Sequence, residues 1–244
     1  TGILGVGTSK EDCGPTCAIN PNNGYYYICS GASCTGKRMP RVNQLQNPVY
    51  AMSADNNGVM VVLPSLPSLP SGTTNASSLT GHMVFGIGTQ ANNATSGFST
   101  TQLTYNPSYG YVINTAVTSQ SYSANMANSF LDTGSNGLYF GTAGMPLPLC
   151  STAIDFYCPL SSTFFSALLS GSGSARTVSF RVDPALTLFN SGDPVLPTLA
   201  GPSGDPSLFI WGLPFFYGRT VFVGFEGRSA VFNGTSVAGP FYAF

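Results

Sequence analysis

Apolar residues in this chain come in short runs closed by turn residues, and no stretch carries the 3.6-residue period of a long amphipathic helix. The runs Val59 to Leu63, Met83 to Ile87, Thr177 to Val182, Phe209 to Trp211, Thr220 to Phe225 and Ala230 to Phe232 predict strands. Tyr109 to Val117 and Gln120 to Leu131 predict a hairpin, while Ser161 to Ser170 fits a strand or a short helix equally well. The 29 Gly and 18 Pro supply the residues that tight connections demand. Pro64 to Ser78 repeats Pro-Ser-Leu and then turns polar, which predicts an exposed loop. The class is mainly β with few short helices, and 244 residues can bury one large core or two modest ones.

Charge narrows the partners. Only 7% of residues are charged, against roughly a quarter in an average soluble domain, with a net charge of −1. No basic stripe for nucleic acid and no polybasic membrane surface is present. Protonating every carboxylate and the one His would leave only about +9, so self-repulsion in acid stays small; a low-charge secreted protein would look the same. The most apolar stretch, Leu208 to Phe225, is broken by Pro214 and Arg219 and reads as two buried strands around a turn rather than a membrane span.

The six cysteines fall in three close pairs: Cys13 with Cys17, Cys29 with Cys34, and Cys150 with Cys158. Local disulfides would each close a short loop, worth roughly 2 kcal/mol, and would imply an oxidising compartment: secreted, periplasmic or cell-surface. The rival is a zinc site from Cys13, Cys17, Cys29 and Cys34, but the intervening Pro21 to Tyr27 lacks the basic and His-rich character of a zinc module. The N-terminal stretch to Arg41 is Cys-, Gly- and Asn-rich and reads as loops, apart from a strand at Ile3-Leu4-Gly5-Val6 that lacks preceding partners.

The candidate chemistry sits at Phe130-Leu131-Asp132-Thr133-Gly134-Ser135. A carboxylate, a hydroxyl, a bare backbone and a second hydroxyl follow a β-prone segment, and Leu138-Tyr139-Phe140 roots the far side. A carboxylate that activates water needs such a tight turn, donors that orient its oxygens, and apolar walls. Asp-Thr-Gly is also an ordinary turn, so the flanks carry the inference. The rival chemistries lack parts. His82 is the sole histidine, no Gly-x-Ser-x-Gly elbow occurs, and scattered acids with one His make no catalytic metal site. A glycosidase-type carboxylate pair could join Asp132 with Asp155, Asp183, Asp193 or Asp205, but turn formation explains those four better. Arg181, Arg176, Arg219 and Arg228 would pair with Glu226 or Asp183 at strand surfaces, or snorkel.

Three segments together resemble pepsin-like aspartic proteases. Thr1-Gly2-Ile3-Leu4-Gly5-Val6-Gly7 resembles the hydrophobic-glycine segment of that family's first lobe, and Phe130 to Phe140 the catalytic loop of its second lobe. Phe209-Ile210-Trp211-Gly212 and the strands to Glu226-Gly227-Arg228 resemble the second lobe's own hydrophobic-glycine segment and C-terminal strands. Gly2 to Gly7, Asp12-Cys13-Gly14, Phe85 to Gln90, Gly134 to Leu138 and Trp211 to Val221 look most like an uncharacterised family of secreted bacterial pepsin-like proteins. The resemblance implies that residues 1–46 are the tail of a first lobe and a Cys-rich inter-lobe connection. Residues 47–244 would then be a disulfide-stapled C-terminal β-barrel lobe of acid-protease type.

What the resemblance implies is a hydrolase without metal or cofactor, acting on peptide or protein substrates. Two carboxylates about 3 Å apart share one proton; the ionised one takes a proton from water and the other polarises the scissile carbonyl. Asp132 would be half of this dyad, Thr133 would tie the two lobes' loops together, Gly134 would admit the backbone and Ser135 would donate to the outer oxygen. Ile210, Trp211 and Gly212 would support the loop. Asn136-Gly137 and Leu213-Pro214 depart from the family's usual residues and leave the substrate pockets open. One Asp-Thr-Gly makes no dyad, so the second Asp is expected from an N-terminal lobe, as a separate chain or an upstream segment. The alternatives are a homodimer or a non-catalytic secreted or cell-surface binding protein on the same scaffold.

Overall fold

The structure is a computed structural model that describes residues 5–69, 72–73, 75–104, 113–120, 122–141 and 147–244. The expected strand residues Ile3 and Leu4, parts of the Pro64 to Ser78 loop, and 109–112 and 121 of the expected hairpin lie outside the described residues.

In chain order the elements are α1 (Pro15–Ile19), β1 (Tyr27–Ser30), β2 (Ser33–Gly36), β3 (Gly58–Leu63), β4 (Ser68–Leu69), β5 (Gly72–Thr73), β6 (His82–Phe85), β7 (Gln102–Thr104), β8 (Ile113–Thr118) and β9 (Ser123–Leu131). They continue with β10 (Leu138–Phe140), β11 (Thr163–Ser170), β12 (Ala175–Val182), α2 (Ala185–Phe189), β13 (Ala200–Gly201), β14 (Leu208–Trp211), α3 (Leu213–Phe216), β15 (Arg219–Gly224), β16 (Ser229–Phe232), β17 (Thr235–Ala238) and β18 (Phe241–Ala243). Single 3-10 turns sit at Arg41–Asn43 and Ala91–Asn93.

Among the described residues, one sheet holds seven strands in the order β12-β11-β8-β9-β14-β10-β13 and a second holds five in the order β6-β3-β15-β18-β7. Their facing sides share one core, in which Val59, Val61, Val221, Val223 and Tyr242 of the second sheet join Met126, Phe140, Phe165, Phe209 and Trp211 of the first. The other side of β15 is covered too: Phe222 packs with Met60, Phe232 and Phe241 beneath the β16–β17 hairpin. Coverage on both faces explains why the β15 sequence is apolar almost without alternation, which a strand with one wet face would not tolerate.

The open choice at Ser161 to Ser170 resolves to strand. Phe165, Ala167 and Leu169 turn inward at a period of two, and β11 pairs on both sides with β12 and β8. The expected two strands around a turn at Leu208 to Phe225 are β14 and β15, joined by α3, whose Pro214 sits where a first-turn N–H would have no partner. The Pro64 to Ser78 stretch is not exposed throughout, because Leu66 is buried.

The N-terminal segment departs most from expectation. Rather than loops alone it forms α1 and the β1–β2 hairpin, with Cys29 and Cys34 directly opposite each other across the strands. Disulfides Cys13–Cys17, Cys29–Cys34 and Cys150–Cys158 all form and no cysteine is free, which removes the zinc alternative and points to an oxidising, extracellular-type compartment. Tyr25, Tyr27 and Ile28 remain exposed, so no apolar pattern announced these strands. What pins the segment is polar. The Glu11 side chain is 2% exposed and accepts from Arg41 at 2.6 Å, and Arg41 also reaches Glu226 at 3.2 Å. Glu226 thus pairs with Arg41 rather than with the strand arginines, whereas Arg181 does meet Asp183 at 2.8 Å. Among the described residues no helix is long and apolar enough to cross a membrane.

Candidate active-site loop

β9 ends at Leu131 and β10 begins at Leu138, yet these two strands do not pair with each other. β14 runs between them, parallel to β9 and antiparallel to β10, so Trp211 is opposite both Leu131 and Leu138. The loop carrying Asp132 therefore leaves one side of a strand and returns on the other, and backbone groups of β14 and its exit hold it. The Asp132 N–H donates to the Trp211 carbonyl at 2.9 Å, and the Leu213 N–H donates to the Ser135 carbonyl at 2.8 Å.

Gly212 has to be glycine at this crossing. A Cβ there would lie 2.1 Å from the Gly137 carbonyl oxygen and 2.6 Å from that of Ser135, well inside contact distance. The three support residues thus divide their work: Gly212 permits the approach, Trp211 faces the core, and Ile210 faces the other side of the sheet.

The Trp211 side chain is fully buried and its indole N–H donates to Thr115 Oγ1 at 3.1 Å. It stacks on Phe209 at 3.9 Å, which stacks on Phe140 at 4.8 Å. The Tyr242 hydroxyl donates to the Leu131 carbonyl at 3.1 Å, fixing the residue before Asp132. Aromatic stacking and two buried hydrogen bonds give the loop a floor with little room to shift. Thr115 and Tyr242 carry no chemical motif, and their role follows only from pairing across the fold.

The carboxylate is partly exposed and oriented. The Gly134 N–H donates to Asp132 Oδ1 at 2.8 Å and the Ser135 hydroxyl to Oδ2 at 2.7 Å. Among the described residues these hydrogen-bond partners both come from its own loop. Thr133 faces elsewhere: its Oγ1 accepts the Val6 N–H at 2.9 Å, and a side chain placed on Gly5 would stand 3.8 Å from Asp132 Oδ1. The N-terminal segment therefore reaches the loop through Thr133, although the side of that segment at Thr1 to Leu4 lies outside the described residues.

On the face of the sheet opposite Trp211, Phe130, Ile210 and Tyr139 occupy directly paired positions and so form one apolar row, partly buried, beginning one residue before Asp132. The Tyr139 hydroxyl donates to Asn136 Oδ1 at 2.5 Å, and burial, with Asp155 nearby, raises its pKa. The flanks root the loop in the core as the sequence predicts, with Leu131, Leu138 and Phe140 inside it and Phe130 packed against it, and register adds that Phe130, Ile210 and Tyr139 share one face.

Each sequence-derived site residue thus has a place. Asp132, Thr133, Gly134 and Ser135 come together with Ile210, Trp211 and Gly212, while the cysteines serve as staples elsewhere. His82 is exposed on β6. Among the described residues no cluster of His, Cys, Asp and Glu could hold a metal. What the loop can do chemically is hold a carboxylate with free lone-pair directions against an apolar face, which suits proton abstraction from a bound water.

Residues 1–244 match the profile of a family described as "Protein of unknown function (DUF3443)", and the chain belongs to that family. No curated protein matches the chain.

Proposed function

We propose that this chain supplies one half of an aspartic-type peptide hydrolase, with Asp132 as one member of a shared-proton carboxylate pair and the second carboxylate donated by an N-terminal lobe of pepsin-like kind. One observation carries the reading: the Asp132 carboxylate accepts from Gly134 N–H and Ser135 O–H at the end of a strand crossing, beside the apolar row Phe130, Ile210 and Tyr139. The two donors fix the plane of the carboxylate, so no reorganisation is needed when a proton moves. With a second carboxylate in hydrogen-bond reach, one proton is shared, the ionised member removes a proton from water, and the hydroxide formed attacks the peptide carbonyl while the protonated member polarises it. The exposed edges of this partly buried apolar row would bind apolar substrate side chains next to the scissile bond. The Val6–Thr133 hydrogen bond supports an incoming lobe at this edge.

A second reading has its own observation. The described hydrogen-bond partners of the carboxylate all belong to its loop. A secreted binding or structural protein on the same scaffold needs nothing more.

The two separate on one assay. The chain alone and the chain together with the proposed N-terminal lobe are incubated with a denatured protein at acid pH. The hydrolase reading expects cleavage by the chain with that lobe and none by the chain alone. Absence of cleavage in both supports the binding reading.

A further inference from the structure

A cavity of about 430 Å³ lies on the core side of β14, away from the apolar row beside Asp132, and the Asp132 carboxylate does not line it. Its walls are aromatic, from Trp211, Phe215 and Phe180, and its polar rim includes Arg219 and Tyr217. This size lies within the range of small-molecule sites, and such sites combine apolar walls with few polar groups.

Arg219 is the anomaly. Among the described residues no carboxylate pairs with it, whereas Arg181 on the same rim is taken by Asp183 at 2.8 Å. The Arg219 guanidinium donates one N–H to the Phe215 carbonyl at 2.5 Å and lies over the Phe215 ring at 4.8 Å, which leaves further donors of its fork unused. Burial, and then the nearby positive charge of Arg176, lower its pKa, which is the direction expected of a cation kept without a counter-charge. A guanidinium so placed gains most from an anion that presents two oxygens in one plane.

We propose that this cavity binds a small organic carboxylate with an aromatic or aliphatic body, its carboxylate on Arg219 and Tyr217 and its apolar part against Phe164 and Phe180. The carboxylate can belong to a free acid or to the C-terminus of a short peptide; both present the same group. The site stands apart from the reading of Asp132 and does not depend on it.

Trp211 is the only tryptophan in the chain and packs edge-on against Phe180 at 5.4 Å, so its emission reports on this cavity wall through that contact. The probes are N-acetyl-phenylalanine, its amide, and a pentapeptide ending in Phe with a free or an amidated C-terminus. The expected result is a saturable change of emission with the acids, about ten- to a hundredfold weaker with the amides, the range of one charged hydrogen-bonded pair. The relative affinity of the free acid and the peptide then identifies the source. Arg219→Gln should weaken the acids to the level of the amides, whereas Lys37→Gln, an equal charge change on the exposed β1–β2 hairpin segment, should not. Ser65 is exposed at the rim, so Ser65→Phe obstructs the mouth without touching the core and should weaken every probe even if Arg219→Gln fails to fold. Equal affinity for acid and amide, no saturable response, or unchanged binding in the folded variants overturns the proposal.

Discussion

The N-terminal segment to residue 46 and the sheet under Asp132 are both held firmly, by opposite means. The first buries little apolar surface. Ile19, Tyr25, Tyr27, Ile28, Val42 and Leu45 are exposed, and its shape rests on two disulfides and on Glu11 between Lys10 and Arg41. The second is a ladder of Phe140, Phe209 and Trp211 sealed between two sheets, where Thr115 and Tyr242 satisfy what polar groups remain. Constraint of the unfolded chain stabilises the one and burial stabilises the other. The difference teaches where to expect each kind of failure: the segment should loosen locally, while the ladder should fail with the whole fold.

The sharpest way to break this contrast is Trp211→Ala. Loss of a fully buried aromatic and its cavity should cost about 3–5 kcal/mol in denaturant unfolding, as one cooperative event. A cost below about 1 kcal/mol would mean that the ladder is not the foundation. Cys29→Ser with Cys34→Ser should cost about 2 kcal/mol at most, and the loss should show as protease cuts within residues 27–36 while the sheet stays protected. Cuts throughout the chain would erase the distinction.

Tyr157 gives the contrast a pH signature. Its hydroxyl donates to the Phe140 carbonyl at 2.5 Å, and burial raises its pKa. The folded state keeps this proton where the unfolded chain has lost it, so the stabilisation is full below about pH 10 and falls as pH rises beyond it. Tyr157→Phe should cost about 1 kcal/mol at neutral pH and flatten the alkaline decline. The smallest effect is expected at the join. Thr133→Val removes the acceptor of the Val6 N–H and should speed exchange of that amide about fivefold, the equivalent of about 1 kcal/mol, with the sheet unaffected.

How much of this was legible in the sequence follows the same divide. Strands β3, β12 and β15 were readable because burial leaves a mark, either alternation or an unbroken apolar run. The β1–β2 hairpin was not, since a cross-strand disulfide replaces the apolar face that periodicity detects. The Asp132 loop was readable as a motif, and Gly212 as its support by family resemblance. The parallel pairing of β14 with β9 was not readable, because Trp211 and Leu131 are far apart in sequence and nothing local encodes their meeting. For the same reason only register shows that Phe130, Ile210 and Tyr139 share one row. Arg41 with Glu226, 185 residues apart, and Arg219, which meets no carboxylate among the described residues, are likewise products of topology.

Asp132 is proposed as a working half of a carboxylate pair. Its most direct test pairs this chain, and separately its Asp132→Asn variant, with the proposed N-terminal lobe on a denatured protein substrate at acid pH. The substitution keeps an acceptor for the Gly134 N–H, so the loop is expected to stay folded. Cleavage in the parent and its loss by at least about a thousandfold in the variant, the scale of removing a group central to the reaction, is the predicted result. Equal cleavage by both would contradict it.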